Sequence, residues 1–321
     1  MDLNAKIYVA GHKGLVGSAI LRRLGAEGYK NIITRTHAEL DLTSQAAVER
    51  FFANEKPEYV FLAAAKVGGI HANNTFPAEF IYQNIAMQSN VIHESWKTGV
   101  KRLLFLGSSC IYPRECPQPI KEEYLLTGPL EATNSAYAIA KIAGIEMCWS
   151  YNKQYGTRYL AAMPSNLYGP GDNYDLSNSH VLPALIRKMH EAKAANAKEV
   201  ILWGSGTPKR EFLYADDLAN ALVFLATLDD ARYDTLAHPS RSPLINVGSG
   251  EDLTIRELAE TVAGVVGYQG GFVQDTGKPD GTMRKVLEVS KIRNLGWAPT
   301  ITLKEGIAYA YKDFVEGISR R

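Results

Sequence analysis

The stretch GHKGLVG, residues 11–17, places three glycines in the spacing GxxGxxG. The apolar run KIYVA precedes it and predicts a buried strand, and a helical pattern follows over about residues 15–27. Gly11 permits a tight turn, Gly14 lets the backbone approach a pyrophosphate, and Gly17 lets the helix pack closely on the strand. Glycine turns are common, but a strand before this one and a helix after it are typical of a dinucleotide-binding loop. The sequence therefore predicts a Rossmann-type domain that binds a dinucleotide.

The segments after the glycine loop alternate between apolar strands and helices. Strands are predicted over residues 31–36, 58–65, 102–109 and the start of 158–169, and helices up to about residue 54 and over 78–98 and 135–154. Continuous apolar strands separated by helices favour an α/β fold, with a doubly wound parallel sheet covered on both faces.

The pattern becomes looser beyond Leu167, although helices are predicted over residues 179–192 and about 255–265 and strand-like runs at 245–250 and 271–275. We therefore predict a nucleotide-binding domain over 1–167 and a smaller C-terminal α/β lobe for the substrate over 168–321. Parts of 212–247 are expected to return to the first domain.

Composition excludes several classes of protein. The net charge of +1, without clustered basic charge, argues against a nucleic-acid partner. No apolar run approaches the roughly 20 residues that span a bilayer, so no membrane partner is expected. The N-terminus enters a strand without a signal-peptide pattern. Three cysteines without zinc-type spacing indicate a reducing compartment, no metal site and a cytoplasmic location.

The residues after the second predicted strand distinguish between dinucleotides. A site for NAD usually has an acidic residue there to bind the ribose 2′-hydroxyl group. This chain instead has Arg35, with His37 two residues further on and Lys13 in the glycine loop. Cationic donors stabilise a 2′-phosphate and a carboxylate repels it. The sequence therefore predicts NADP(H) as the cofactor.

A serine, a tyrosine and a lysine form a second pattern. Tyr137 and Lys141 share one face of a predicted helix because they are four residues apart, and Ser108 ends a predicted strand. A tyrosine has a pKa of about 10, and we expect the ammonium of Lys141 to lower it. Ser108 would donate a hydrogen bond to a carbonyl oxygen. The three residues suit hydride transfer to or from a carbonyl, with tyrosine as the proton carrier.

Eight blocks of the sequence are together similar to one family. They read AGHKGLVGSAI, AAAKVGGI, GSSCIYP, NSAYAIAKIAGIEMC, PSNLYGPGDNY, SNSHVLPAL, WGSGTPKREFLYADDLA and KPDGTMRK. On these blocks the chain resembles the extended short-chain dehydrogenase/reductase family, and within it the members that both epimerise and reduce a GDP-linked keto sugar. The resemblance implies that GDP-4-keto-6-deoxy-D-mannose is epimerised at C3 and C5 and then reduced at C4 by NADPH to GDP-L-fucose.

The resemblance also implies which residues contact the cofactor, mostly at the ends of the predicted strands. They are Gly11, Lys13, Gly14, Leu15, Val16, Gly17, Arg35, His37, Asp41, Leu42, Ala63, Ala64, Ala65, Leu106, Gly107, Ser108, Tyr137, Lys141, Pro164, Ser165, Asn166, Leu167 and His180.

The implied reaction supplies a use for Cys110. The C–H bonds next to a 4-keto group are acidic, so epimerisation needs a base, an acid and a group that stabilises the enolate oxygen. Cys110 is the implied base, and a thiol with a pKa near 8.5 needs a cationic or histidine partner to ionise. The resemblance implies His180 as that partner and as the acid, since its ordinary pKa suits proton donation near neutrality. The implied catalytic residues are thus Ser108, Cys110, Tyr137, Lys141 and His180.

The pyrophosphate of a GDP-sugar needs cationic partners. By resemblance Lys188 and Arg210 bind it, Trp203 and Asp280 contact the nucleotide or the sugar, and Asn166 joins Ser108 and Cys110 at the substrate. Three other cations are expected to be solvated surface charges without a role in binding: Arg187, Lys209 and Arg284.

Two other functions remain open from the residues alone. A different extended epimerase or reductase, such as a 4-epimerase with tightly held NAD, would need neither Cys110 nor His180. A non-catalytic NADPH sensor would not need the serine, tyrosine and lysine.

The resemblance also implies a homodimer through the helices at 78–98 and 135–154.

Overall fold

The computed structural model describes residues 1–176, 179–277 and 280–319. Its centre is a six-stranded, fully parallel sheet in the order β2-β1-β3-β4-β5-β9. The strands are β1 (Ile7–Ala10), β2 (Ile32–Ile33), β3 (Tyr59–Leu62), β4 (Arg102–Leu106), β5 (Tyr159–Pro164) and β9 (Leu244–Val247). β2 and β3 flank β1 on opposite sides, so the order in which strands are added to the sheet reverses at β1. In such sheets the crevice outside the carboxyl ends of the strands at this point binds ligands.

Helices cover the sheet in two groups. Helix α1 packs on α7, whereas α4 packs on both α2 and α5. The helices are α1 (Leu15–Ala26), α2 (Gln45–Glu55), α4 (Pro77–Lys97), α5 (Ser135–Tyr155) and α7 (Ala215–Thr227), with the short α3 (Ile70–Thr75) before α4 and α8 (Asp230–Leu236) after α7. The predicted α/β fold with a doubly wound parallel sheet is confirmed.

A second part of the molecule has its own core between helices α6 (Val181–Ala194), α9 (Ile255–Val266) and α11 (Leu303–Ser319) and two small sheets. In one sheet β7 (Glu199–Trp203) pairs with β11 (Gly271–Asp275). In the other, β8 (Lys209–Tyr214) pairs with β6 (Asn166–Tyr168), β10 (Asp252–Thr254) and β12 (Arg284–Lys285). The short α10 (Ser290–Asn294) packs on β9 of the central sheet.

One predicted strand is confirmed and another is shorter than predicted. The strand predicted at the start of 158–169 is β5 of the central sheet, and the residues after Ser165 form β6, which pairs with β8 in the second part. The strand predicted over 31–36 is reduced to Ile32–Ile33, because this edge strand has one neighbour and pairs with it only there.

The observed sheet also shows where the second half of the chain returns. β9 joins the central sheet beside β5, and α7 packs on α1. The division at residue 167 itself stays a prediction. None of the helices in the described ranges is long and apolar enough to cross a membrane.

Candidate active site

The glycine loop lies against the end of β3. Gly11 has a φ of +83°, and a Cβ atom added there would lie 2.7 Å from the amide nitrogen of Ala64. A Cβ atom added to Gly17 would lie 2.1 Å from the carbonyl oxygen of Gly11. Helix α1 begins next to this turn, and its N-cap residue, Gly14, offers no capping side chain. The first backbone N–H groups of α1 are therefore available to an anion in the crevice.

Arg35 is held from several directions at the end of β2. One Nη atom donates to Glu55 Oε1 at 2.6 Å and the other to the Thr34 carbonyl oxygen at 2.8 Å. The guanidinium carbon also lies 5.5 Å from the centre of the Phe51 ring. The sequence has Arg35 where an NAD site usually has an acidic residue. The fold nevertheless brings a carboxylate to Arg35, that of Glu55 from α2.

The other predicted cofactor residues near Arg35 differ in exposure. The His37 side chain is 85% exposed, and its Nδ1 lies 3.9 Å from Asp41 Oδ1. Leu42 is buried, and its carbonyl oxygen accepts a hydrogen bond from Asn90 Nδ2 at 2.9 Å. Hydrogen bonds from Thr36 chiefly lower the pKa of Glu39, and the charges of Arg35 and Lys13 lower it further. The two cations predicted for the 2′-phosphate therefore act on one patch of surface.

Ser108, Cys110 and Tyr137 meet at the end of β4. A turn of 3₁₀ helix over Ser109–Ile111 follows the strand, and Ser108 Oγ accepts a hydrogen bond from the Cys110 amide at 3.4 Å. Interaction with the Ser108 hydroxyl also lowers the pKa of the Cys110 thiol and of the Tyr137 phenol, although burial raises both overall. One hydroxyl thus connects the predicted base with the predicted proton carrier.

The prediction that Lys141 lowers the pKa of Tyr137 is wrong. Burial raises the pKa of Tyr137, and the charge of the nearby Cys110 raises it further. The ring packs edge-on against Phe80, with ring centres 6.3 Å apart. Lys141 Nζ donates to the Leu106 carbonyl oxygen at 2.7 Å and lies 5.7 Å from the centre of the Tyr137 ring. Burial lowers the pKa of Lys141 to about 8.

Lys285 is a residue of the site that the sequence argument did not assign. Burial raises the pKa of the Cys110 thiol, and the charge of Lys285 is the largest effect that lowers it, followed by the Ser108 hydrogen bond and the charge of Lys141. Lys285 lies on β12 opposite Arg210 of β8. Its strand neighbour Arg284 points the other way and pairs with Asp252 at 2.5 Å.

The ionising partner predicted for Cys110 is therefore corrected. In the described ranges, the cations that lower the pKa of this thiol are Lys285 and Lys141, not His180. His180 is the N-cap residue of α6. The residue is exposed, and partial burial by the surrounding protein lowers the pKa of its imidazole. Its role as the acid stays a prediction.

The predicted substrate residues form two pairs on the second part of the molecule. Lys188 Nζ lies 5.0 Å from the centre of the Trp203 ring, which is 58% exposed. Burial lowers the pKa of Arg210, and the nearby carboxylate of Asp280 opposes that effect. Asp280 Oδ1 accepts a hydrogen bond from the Ser205 amide at 2.7 Å.

The cations assigned to the surface have partners there or lie exposed. Arg187 pairs with Glu191 at 2.7 Å and Arg284 with Asp252, whereas Lys209 is exposed.

Two buried polar atoms, one before α5 and one after β5, lack a partner among the described groups. Asn134 Oδ1, beside Tyr137 at the start of α5, and Ser165 Oγ, after β5, are buried without a hydrogen-bond partner among the described residues. Asn166, by contrast, donates to the Glu211 carbonyl oxygen at 2.8 Å. Buried polar groups normally have partners, and an unpartnered hydroxyl at the carboxyl end of a sheet strand is compatible with a ligand there. With the glycine cradle they fit a bound dinucleotide. No cluster of metal ligands occurs within residues 1–176, 179–277 and 280–319.

Comparison with known proteins gives consistent matches along the chain. Residues 7–236 match the NAD dependent epimerase/dehydratase family. The putative GDP-L-fucose synthase 2 of Arabidopsis thaliana is 58% identical, over 100% of this chain and 95% of that relative. The GDP-L-fucose synthase of Escherichia coli K12 is 54% identical, over 98% of each chain. Among solved structures, MlghC, a GDP-mannoheptose C4 reductase from Campylobacter jejuni with NADP bound, has a TM-score of 0.90 at 42% identity, over 98% of this chain and 99% of that one.

Proposed function

Because the chain belongs to the NAD dependent epimerase/dehydratase family and matches GDP-L-fucose synthases over almost its whole length, we propose that it converts GDP-4-keto-6-deoxy-D-mannose to GDP-L-fucose. It is an enzyme that uses NADPH, epimerising C3 and C5 of the sugar and then reducing the C4 ketone. The observation that carries this proposal is the position of Cys110, which shares one hydroxyl with Tyr137 and faces the charges of two lysines.

The cofactor is held by the crevice between β1 and β3. The glycine cradle and the first N–H groups of α1 receive its pyrophosphate, and Arg35 with Lys13 receives the 2′-phosphate. Lys141 would bind the ribose hydroxyls, and Ser165 would contact the nicotinamide end of the cofactor. When bound, NADPH supplies the hydride for C4.

Epimerisation uses the groups around O4 of the sugar. Cys110 removes the proton at C3 and at C5 as a thiolate, which the charges of Lys285 and Lys141 stabilise. Ser108 and Tyr137 donate hydrogen bonds to O4, where the enolate concentrates its negative charge. His180 returns a proton on the opposite face of the ring.

Reduction uses the same oxygen. Tyr137 protonates O4 as hydride reaches C4, and Ser108 holds the oxygen in place. Burial raises the pKa of Tyr137, which keeps the phenol protonated before the step. One pocket therefore carries out two reactions, because both the enolate and the alkoxide place negative charge on O4.

The GDP part lies on the second part of the molecule. The exposed face of Trp203 stacks with the base, and Lys188 and Arg210 pair with the phosphates. Asp280 holds the turn after β7 through the Ser205 amide, and its charge favours the charged form of Arg210.

A second candidate is reduction at C4 without epimerisation, which the likeness to the GDP-mannoheptose C4 reductase favours. The two are separated by incubating the purified protein with GDP-4-keto-6-deoxy-D-mannose and NADPH and identifying the product by NMR. GDP-L-fucose, with one NADPH oxidised per product, supports the proposal. A 4-hydroxy sugar that retains the original configuration at C3 and C5 supports the simple reductase instead.

We also propose a homodimer and a cytoplasmic location. Large apolar side chains are exposed on α4 and α5, among them Tyr82 at 67% and Ile139 at 47%. Pairing these helices with those of a second copy would cover them. Light scattering should give twice the chain mass, and a monomer at micromolar concentration would contradict the dimer.

The three cysteines are free thiols, as expected in a reducing compartment. Cell fractionation tests the location.

A further inference from the structure

Helix α2 places two residues against the guanidinium of Arg35. Phe51 and Glu55 are four residues apart and therefore lie on one face of α2. Glu55 Oε1 accepts from Arg35 Nη2 at 2.6 Å, and the Phe51 ring lies 5.5 Å from the guanidinium carbon. The other Nη atom bonds to the Thr34 carbonyl oxygen. Arg35 is thus oriented by groups of the protein itself.

Glu55 orients Arg35, but its negative charge disfavours the binding of a 2′-phosphate beside Arg35. Its second oxygen lies 3.6 Å from Lys6 Nζ, so the carboxylate is shared by two cations. The side chains of Arg35 and Glu55 are 35% and 27% exposed, so solvent screens their charges only partly. A phosphate dianion beside Arg35 would therefore be repelled by a carboxylate that already neutralises the same guanidinium.

We propose that Glu55 sets the selectivity of this chain between NADPH and NADH: it holds Arg35 in place and at the same time limits the affinity for the 2′-phosphate. The cofactor preference is then a property of the Arg35–Glu55 pair and not of Arg35 alone. The inference rests on NADPH as the cofactor and not on the identity of the sugar.

Glu55→Gln separates the two effects of this residue. The amide oxygen of glutamine still accepts the hydrogen bond from Arg35, so the orientation is kept, while the negative charge is removed. Relief of one partly screened repulsion is expected to tighten NADPH binding about three- to fivefold. NADH lacks the 2′-phosphate, so its affinity is expected to change much less, and the NADPH/NADH selectivity ratio rises.

The chain offers a matched control in a second arginine–glutamate pair. Arg23 and Glu27 are also 2.6 Å apart, with exposures of 39% and 29%, at the end of α1. Glu27→Gln removes the same charge outside the proposed 2′-phosphate site. Dissociation constants for NADPH and NADH are measured by calorimetry on wild type and both variants, without sugar and without turnover.

The expected result is a higher selectivity ratio in Glu55→Gln alone. An unchanged ratio, or weaker NADPH binding, in Glu55→Gln would overturn the proposal, as would an equal gain in Glu27→Gln, which would report a general charge effect. Because the assay involves no sugar, it is independent of whether the protein makes GDP-L-fucose.

Discussion

Replacing Lys285 with methionine removes the charge that contributes most to lowering the pKa of Cys110, and it keeps a long side chain in the same space. Burial raises the pKa of this thiol, and Lys141 remains as a second cation. Loss of one nearby opposite charge is expected to raise the thiol pKa further. Below the thiol pKa, each unit lowers the thiolate fraction about tenfold. Proton exchange at C3 and C5 near neutral pH should therefore fall about 10- to 100-fold.

The pH dependence gives the sign of this effect. The base is active as a thiolate, so activity rises with pH through the pKa of Cys110, and a raised pKa moves this rise to higher pH. The assay is the pH profile of Cys110 alkylation by iodoacetamide, measured together with deuterium exchange into the sugar. Arg284→Met is the matched control. Arg284 lies on the same strand as Lys285, but its side chain points to the other face and pairs with Asp252. Superimposable profiles for Lys285→Met and Arg284→Met would refute the reasoning.

Three further changes test other parts of the site. Gly17→Ala puts a Cβ atom 2.1 Å from the Gly11 carbonyl oxygen, so NADPH affinity should fall at least about tenfold and stability by about 1–3 kcal/mol, measured by calorimetry and denaturation. Lys141→Met removes a buried amine whose pKa is lowered to about 8; the variant should be inactive yet about 1 kcal/mol more stable at pH 7. That advantage should shrink as pH rises above about 8, since folded wild type then releases this proton before the unfolded chain does, and an advantage that grows with pH would contradict the pKa. Trp203→Ala should raise KM about tenfold or more with a smaller change in kcat, because a lost stacking contact is worth about 1–3 kcal/mol, and an unchanged KM would exclude stacking on this ring.

Features that are local in sequence could be predicted well. The glycine loop, the strand before it and the helix after it are contiguous, so their spacing alone indicated a cradle for a dinucleotide. Tyr137 and Lys141 were expected on one helical face, and α5 carries both. Where a strand is defined by its pairing, prediction was weaker: the strand predicted over 31–36 is reduced to Ile32–Ile33, the two residues that pair with β1.

Residues brought in from distant elements could not be predicted. Glu55 reaches Arg35 from α2, and Lys285 reaches Cys110 from a two-residue strand that pairs with β8. Nothing in the spacing of either residue indicates these neighbours. The pKa of Tyr137 was misjudged for the same reason: the effect of burial depends on Phe80 and on the whole pocket, whereas the sequence showed only the lysine four residues away.

The role of Cys110 as the base is tested by deuterium exchange into GDP-4-keto-6-deoxy-D-mannose in heavy water without NADPH, for wild type and Cys110→Ser, read at each carbon by NMR. Wild type is predicted to incorporate deuterium at both C3 and C5. Cys110→Ser is predicted to lose at least about 100-fold of that rate, because a serine hydroxyl ionises far less readily than a thiol. Wild-type exchange in Cys110→Ser would contradict the assignment of the thiolate as the base.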